Sequence, residues 1–399
     1  MKPENYCVLP FIGLETAPMG QARACCLYEG DLHSNGKRIN FKRNTIQEAF
    51  HSEDMNELRA AFMRNEKPKG CAKCWAVEAA GGRSKRLISN EKYKYYVLKE
   101  DPNNPRLKFI DLKLGNICNL KCRICGVFSS SKWANDELKL IDTSDHKSHI
   151  VEMNRAGQWP REAENFWQDI DNLANDITSL EITGGEPFLI EEHFEFLRHC
   201  VKTNNAKRID IHYNTNGTQF PIDAIENIWP HFRKVEVAFS IDGLGAEFEY
   251  QREGAKWNQV LENIHKFHEV RKNSDWLTTQ LCTTINTQNI MDVVDILEWA
   301  EGIGFDFIWV NILHTARHFC VKTMNPNAKN RAKLHLEQQR ARLKSQDTIN
   351  QLNSLIEFMM LPDEDLTKEL VYNLERVDKV RNQNWRESLP KLARLIDEQ

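Results

Sequence analysis

Six short runs of the chain carry apolar and β-branched residues at strand spacing: Leu107–Leu114, Ile177–Ile182, Arg208–Tyr213, Phe232–Phe239, Thr278–Ile285 and Phe305–Asn311. The segments between them run at helical spacing. Ser129–Leu140, Trp257–Val270 and Asn289–Glu301 read as amphipathic helices, and residues 141–175 read as a polar, Trp-bearing helical insertion. Strand and helix alternate through about six β/α units, which predicts an α/β fold with a parallel sheet and right-handed crossovers. Six units suit an open, partial (β/α)6 barrel better than a closed barrel of eight. Each strand run ends in a polar or Gly-rich segment: Gly115-Asn116, Thr183–Pro187, Asn214–Gly217, Ser240–Gly243 and Asn286. In such folds the chemistry gathers at these carboxyl ends.

The flanks follow other patterns. Val8–Leu14 is an apolar run after Cys7, and Gly20 supplies a tight turn for a hairpin. Asn44–Arg64 reads as a helix, with Ile46, Ala49, Phe50, Leu58, Ala61 and Phe62 on one face, and Lys67–Gly70 breaks the chain after it. Trp75–Arg86 starts as a helix and breaks at Gly81-Gly82; Arg83, Lys85 and Arg86 suit a solvated face, a substrate carboxylate or the tuning of a nearby cluster. Asp101–Pro105, DPNNP, is a turn and linker. Asn330–Phe358 and Glu364–Ile396 read as long charged amphipathic helices that cap the barrel or bind a partner. The expected organisation is a small N-terminal domain over 1–100, a core over 106–313 and a helical extension over 314–399.

Composition narrows the function. The chain has 399 residues, 41% of them hydrophobic, and a net charge of −4, which gives no sign of general nucleic-acid binding. No stretch approaches the roughly 20 apolar residues of a membrane span, and the N-terminus lacks a signal-peptide pattern, so a soluble cytoplasmic protein is expected. Eleven cysteines, with two C-x2-C pairs among them, point to metal ligation rather than disulfides in such a setting.

Cys118, Cys122 and Cys125 follow the first core strand as C-x3-C-x2-C. Three thiolates in one loop hold three irons of a cubane cluster and leave the fourth open to a small molecule. A zinc knuckle or chance clustering satisfies the spacing alone. Farther on, Gly184-Gly185-Glu186-Pro187 closes the second core strand. A carboxylate there accepts hydrogen bonds from an ammonium group, and the proline favours a following helical turn.

These motifs in this order resemble the radical S-adenosylmethionine (radical SAM) superfamily, over roughly 107–313. The resemblance implies a [4Fe–4S] cluster on Cys118, Cys122 and Cys125 whose open iron chelates S-adenosylmethionine, reductive cleavage of the sulfonium, and hydrogen abstraction from substrate by a 5'-deoxyadenosyl radical. It implies that Gly184, Gly185 and Glu186 hold the methionine amine and that Ile124 packs near adenine. Thr215 and Asn216 face the cofactor, Ser240 and Asp242 the ribose, and Asn286 adenine or the carboxylate. Arg252, in YQREGAKW, neutralises the carboxylate. Asp242 and Asn216 equally suit helix caps.

Cys7, Gly20 and Cys25 stand in the register C-x12-G-x4-C, and Cys71 and Cys74 form C-x2-C. Four thiolates close a second [4Fe–4S] cluster or a structural zinc site. The pattern is similar to the twitch auxiliary-cluster module, a shortened SPASM domain, although here it precedes the core. Cys26 is the alternative to Cys25. Cys320, in the segment after the last strand, is a candidate thiol hydrogen donor, while Cys200 and Cys282 read as core cysteines. The resemblance implies an oxidoreductase served by a flavodoxin- or ferredoxin-type electron donor. The expected substrate is a peptide or protein, as in ribosomal-peptide maturation by oxidation, crosslinking or epimerisation. Sugar or aminocyclitol chemistry is the alternative, and a non-catalytic iron–sulfur or zinc scaffold is the rival outside enzymes.

Overall fold

The computed structural model describes residues 2–79, 82–99, 101–141 and 143–397. Among the described residues ten strands form: β1 (Gly13–Thr16), β2 (Ala22–Arg23), β3 (His33–Ser34), β4 (Lys37–Arg38), β5 (Phe109–Lys113), β6 (Ser179–Thr183), β7 (Asp210–Thr215), β8 (Lys234–Ser240), β9 (Leu277–Ile285) and β10 (Phe307–Ile312). Eight of them make one sheet in the order β10-β9-β8-β7-β6-β5-β1-β2. All six expected core strands are present as β5 to β10. The pairs β5/β6, β6/β7 and β9/β10 are parallel. The sheet is open, with β2 and β10 at its edges, so no barrel closes among the described residues. The chain divides into two compact units: residues 1–117, 153–213 and 221–235, and residues 118–152, 214–220 and 236–399.

In the first unit the N-terminal hairpin extends the core sheet. β1 pairs in parallel with β5 and antiparallel with β2. All four residues of β1 are buried, as expected of a strand with neighbours on both sides. Gly20 turns the hairpin with φ +82°, and an added Cβ would sit 3.1 Å from Trp159, so only glycine fits. Trp159 is itself fully buried, edge-on to Phe166 at 5.1 Å.

The helix expected over Asn44–Arg64 is two helices, Ile46–Phe50 and Glu53–Met63. Thr45 and Glu48 form a capping box on the first, and Ser52 restarts the chain by accepting from Met55 N. The apolar period survives the break because both pieces bury the same stripe. The break expected at Gly81-Gly82 falls partly on residues 80–81, outside the described residues.

In the second unit β10 is an edge strand. Gln351, on the helix Gln346–Met360, accepts from Val310 N at 2.8 Å and donates to Ile308 O at 2.8 Å. One side chain thus occupies the hydrogen-bonding positions of a missing strand. The two long C-terminal helices of the sequence reading are shorter pieces: Pro326–Gln339 and Gln346–Met360, then Thr367–Arg381, Trp385–Ser388 and Pro390–Asp397. Leu343 turns extended before the Ser345 cap, and Asn382 adopts φ +53° after Arg381. Asparagine tolerates that left-handed conformation, and it ends the helix.

Candidate functional site

The loops after β5 and β6 leave the same end of adjacent parallel strands. Glu186 N donates to Ile117 O at 2.8 Å, one residue before Cys118. Glu186 is fully buried, and one carboxylate oxygen accepts from Phe188 N at 3.2 Å, which caps the turn Pro187–Leu189. The glycines serve this packing. A Cβ on Gly184, which has φ +133°, would meet Leu114 N at 2.6 Å, and one on Gly185 would meet Ile117 O at 2.1 Å. They bring two backbones together.

The cysteine loop is held by polar contacts within the second unit. Arg252 Nη1 lies 3.9 Å from Cys122 Sγ, and Asn216 Nδ2 lies 3.9 Å from Cys118 Sγ. Trp133 Nε1 donates to Cys122 O at 2.8 Å. Cys122 and Cys125 face each other: the Cys125 thiol donates and holds Cys122 down, burial opposes this, and Arg252 assists. Cys125 rises in turn, through its bond to Cys122 and then through burial. Ile124 is half-buried beside them.

Arg252 is buried, and its Nη2 donates to Asp242 Oδ2 at 2.6 Å. The other Asp242 oxygen accepts from Thr284 N at 2.8 Å. Both residues therefore brace each other beside Cys122. Asn216 accepts from Thr218 N at 2.9 Å and donates to Asn119 at 2.9 Å, and Thr215 Oγ1 accepts from Gly217 N at 3.2 Å. Asn286 is buried, accepts from Gln288 N at 2.9 Å and donates to Thr284 O at 3.1 Å. Ser240 is half-buried at the end of β8. Cys320 is 5% exposed between two short turns of helix. Burial raises its thiol, and its charged neighbours are Lys322, Asp363 and Arg317.

In the first unit Cys7, Cys25, Cys71 and Cys74 line one small cavity together with Leu9, Phe62, Lys85 and Arg86. Cys26 is not among the residues lining it. Burial drives the Cys7 thiol well up, and it pushes Cys25 and Cys71 up to about 12, with the neighbouring cysteines adding to the effect. A metal centre would take such buried thiols as thiolates. Among the described residues no three Cys, His, Asp or Glu side chains converge on a point suited to one metal ion. Four thiols on the wall of one cavity are a donor set that a cubane cluster or a zinc ion could take.

The basic run at 83–86 divides. Arg83 is exposed and pairs with Glu91. Arg86 is buried, pairs with Glu78 at 2.6 Å and donates to Tyr6 O at 2.9 Å. Ser84 caps the helix Lys85–Lys92 and so turns Lys85 and Arg86 inward.

Two groups escaped the sequence reading. Arg123, between two of the loop cysteines, pairs at 2.5 Å with Asp378, 255 residues away. Nothing local announces that contact. Glu15, Asp111, Glu181 and His212 stand abreast across β1, β5, β6 and β7. Here the signal was available in three of the strands: Asp111, Glu181 and His212 each stand between two buried apolar neighbours.

Among solved structures, the fold has a likeness to anSMEcpe with bound AdoMet, at 18% identity and TM-score 0.40, over 59% of this chain and 57% of that one. It has another to Streptococcus suis SuiB bound to S-adenosylmethionine, at 14% identity and TM-score 0.38, over 72% and 57%. A third is to TYW1 with a lysine-pyruvate adduct, at 18% and 0.34, over 59% and 72%. The match thus spans less than two thirds of the length of anSMEcpe. Likeness at this level says nothing about substrate or reaction. No curated protein matches the sequence. Residues 112–300 match the family model described as the Radical SAM superfamily. Those residues begin in β5 and take in the three-cysteine loop, the Glu186 turn and the Arg252–Asp242 brace: the chain carries a radical SAM domain.

Proposed function

We propose that the chain is a two-cluster radical SAM enzyme acting on a peptide or protein. The superfamily implies a [4Fe–4S] cluster and S-adenosylmethionine. Cys118, Cys122 and Cys125 would hold the cluster. The observation that carries the reading is the hydrogen bond from Glu186 N to Ile117 O, which ties the Gly-Gly-Glu-Pro turn to the start of the cysteine loop. Bound together, the reduced cluster and S-adenosylmethionine supply a radical able to take a hydrogen atom from substrate.

The chain's own residues hold charge and exclude water. Arg252 directs an N–H group at Cys122 sulfur, which stabilises its thiolate over its thiol, and the Asn216 amide points at Cys118 sulfur. Glu186 offers a buried carboxylate to the ammonium of S-adenosylmethionine. Thr215, Ser240, Asp242 and Asn286 line the strand ends where ribose and adenine would lie. Cys7, Cys25, Cys71 and Cys74 would hold a second [4Fe–4S] cluster that accepts an electron from the substrate radical or relays one. The domain reading that goes with this is an auxiliary module over 1–100, a core over 106–313 and a helical extension over 314–399. A flavodoxin- or ferredoxin-type protein would supply electrons.

The test compares anaerobic wild-type protein with a variant in which Cys118, Cys122 and Cys125 are all alanine. The wild type should form 5'-deoxyadenosine under strong reductant, and the variant should form none while keeping about four irons, the content of one cubane cluster. Near-zero iron with zinc present would leave a one-cluster enzyme. Intact, reduced wild-type cluster with no cleavage of S-adenosylmethionine, even with cell extract as a source of substrate, would favour a binding scaffold.

A further inference from the structure

Three carboxylates and a histidine stand abreast on one face of the first unit's sheet. Glu15 is level with Asp111, Asp111 with Glu181, and Glu181 with His212, each on the next strand. Strands lie about 4.8 Å apart, and like charges directly opposite each other are destabilising. Two of the three carboxylates have cations. Lys113 pairs with Glu15, while Lys85 and Lys92 reach Glu181 at 3.5 and 3.7 Å. Asp111, in the middle, forms no ion pair among the described residues, although Lys113 and Lys85 face it. It is 4% exposed, and its Oδ1 is buried without a hydrogen-bond partner. Glu15 Oε2 is likewise buried and unpartnered. Around them Glu181, His212, Lys85, Lys113 and Cys26 are only half-buried, so the flanks of the row reach solvent.

A buried carboxylate between two others finds a stable state by taking a proton or by taking a cation. We infer that Asp111, flanked by Glu15 and Glu181, is a recognition subsite for a basic group on the substrate, a primary ammonium or a guanidinium. The inference rests on the enzyme reading only in calling the ligand a substrate. An ammonium supplies three donors and a guanidinium five, enough to satisfy Asp111 Oδ1 and Glu15 Oε2 together. A neutral or anionic group would leave the repulsion in place. A basic peptide side chain and an aminocyclitol amine share this chemistry.

The groups facing Asp111 are Glu15 on β1, Glu181 on β6, Lys113 on its own strand, Lys85 on the helix Lys85–Lys92, and Cys26. Burial, then Glu181 and Glu15, raise its carboxyl to about 8. A bound cation therefore competes with a proton, and binding should strengthen as pH rises.

The test measures thermal stabilisation of anaerobically purified holoprotein by n-butylammonium, n-butylguanidinium and, as neutral control, n-butanol. Either cation should stabilise the wild type at pH 8 and do so at least several-fold less at pH 6; butanol should do neither. Asp111→Asn should abolish the response. Acetyl-Ala-Lys-Ala-amide against 2-deoxystreptamine then separates the two sources. No response to any amine, an equal response from Asp111→Asn, or a wild-type response independent of pH would overturn the subsite. The pH comparison needs no variant and stands even where Asp111→Asn fails to fold. Turnover plays no part in the readout. A chain that binds amines but does not cleave S-adenosylmethionine keeps the subsite and loses the enzyme reading, and the converse result loses only the subsite.

Discussion

A methyl group on Gly185 would overlap the Ile117 carbonyl, whose oxygen lies 2.1 Å from where the Cβ would sit. Neither partner is a flexible side-chain tip, so Gly185→Ala must move backbone. We expect it to cost roughly 3 kcal/mol or more in chemical denaturation, at the severe end for a single substitution. Gly302, exposed in the helix Val293–Ile303 with nothing within 4 Å of its missing Cβ, is the contrast. Gly302→Ala should stabilise by about 0.5–1 kcal/mol, since alanine restricts the unfolded chain and favours the helix. Asp111 gives a pH signature. Folding raises its carboxyl from the ordinary 3.8 to about 8, so the folded chain holds that proton more tightly than the unfolded chain does. Its contribution is complete below about pH 4 and is lost as pH climbs through 8. Without added cation, Asp111→Asn should gain on the wild type between pH 5 and 8.5, by up to about 1.4 kcal/mol per pH unit, in melting curves taken along that range.

At the scale of elements, the C-terminal helices hold the cysteine loop by charge. The helix Thr367–Arg381 presents Asp378 to Arg123, and Asp378 also accepts from Tyr250 at 3.0 Å and from Trp385 N at 2.5 Å. Arg123 stacks on Tyr250 at 3.9 Å and has its Nε and Nη1 already buried without partners. A second pair runs alongside, with Asp136 bonded to Lys121 at 2.9 Å and to Arg381 at 2.8 Å. Asp378→Ala would strand a buried guanidinium and should cost about 3–5 kcal/mol in urea unfolding. A loss below 1 kcal/mol would show that Arg123 reaches water or another anion instead. The helix pattern in the sequence was sound while its boundaries were not. Ser52, Ser345 and Asn382 end or restart helices through one side-chain oxygen or one backbone angle, and neither disturbs the apolar period from which a helix is read.

On the scale of the whole molecule, the two cysteine sets separate cleanly. One lies in residues 7–74 and lines a cavity of the first unit; the other is a single loop of the second. Changing Cys71 and Cys74 to alanine should remove about four irons, leave the other cluster in place, and leave formation of 5'-deoxyadenosine intact while substrate turnover stops. Iron analysis beside product analysis checks it. An unchanged iron count would remove the second cluster from the enzyme.

The sequence alone determined the six core strands, their parallel α/β class and the spacing of both cysteine sets. Those properties are local: an alternation of side chains, a turn residue, a count between thiols. Tertiary structure decided what depends on which strands lie side by side. It attached β1 to β5, and so set Glu15 beside Asp111. It put Cys25 rather than Cys26 on the cavity wall and turned Lys85 and Arg86 inward. It showed that the Gly184-Gly185 pair admits a neighbouring backbone. It joined Arg123 to Asp378 across 255 residues. Burial and pairing across such distances depend on register and packing, and no window of sequence contains both partners.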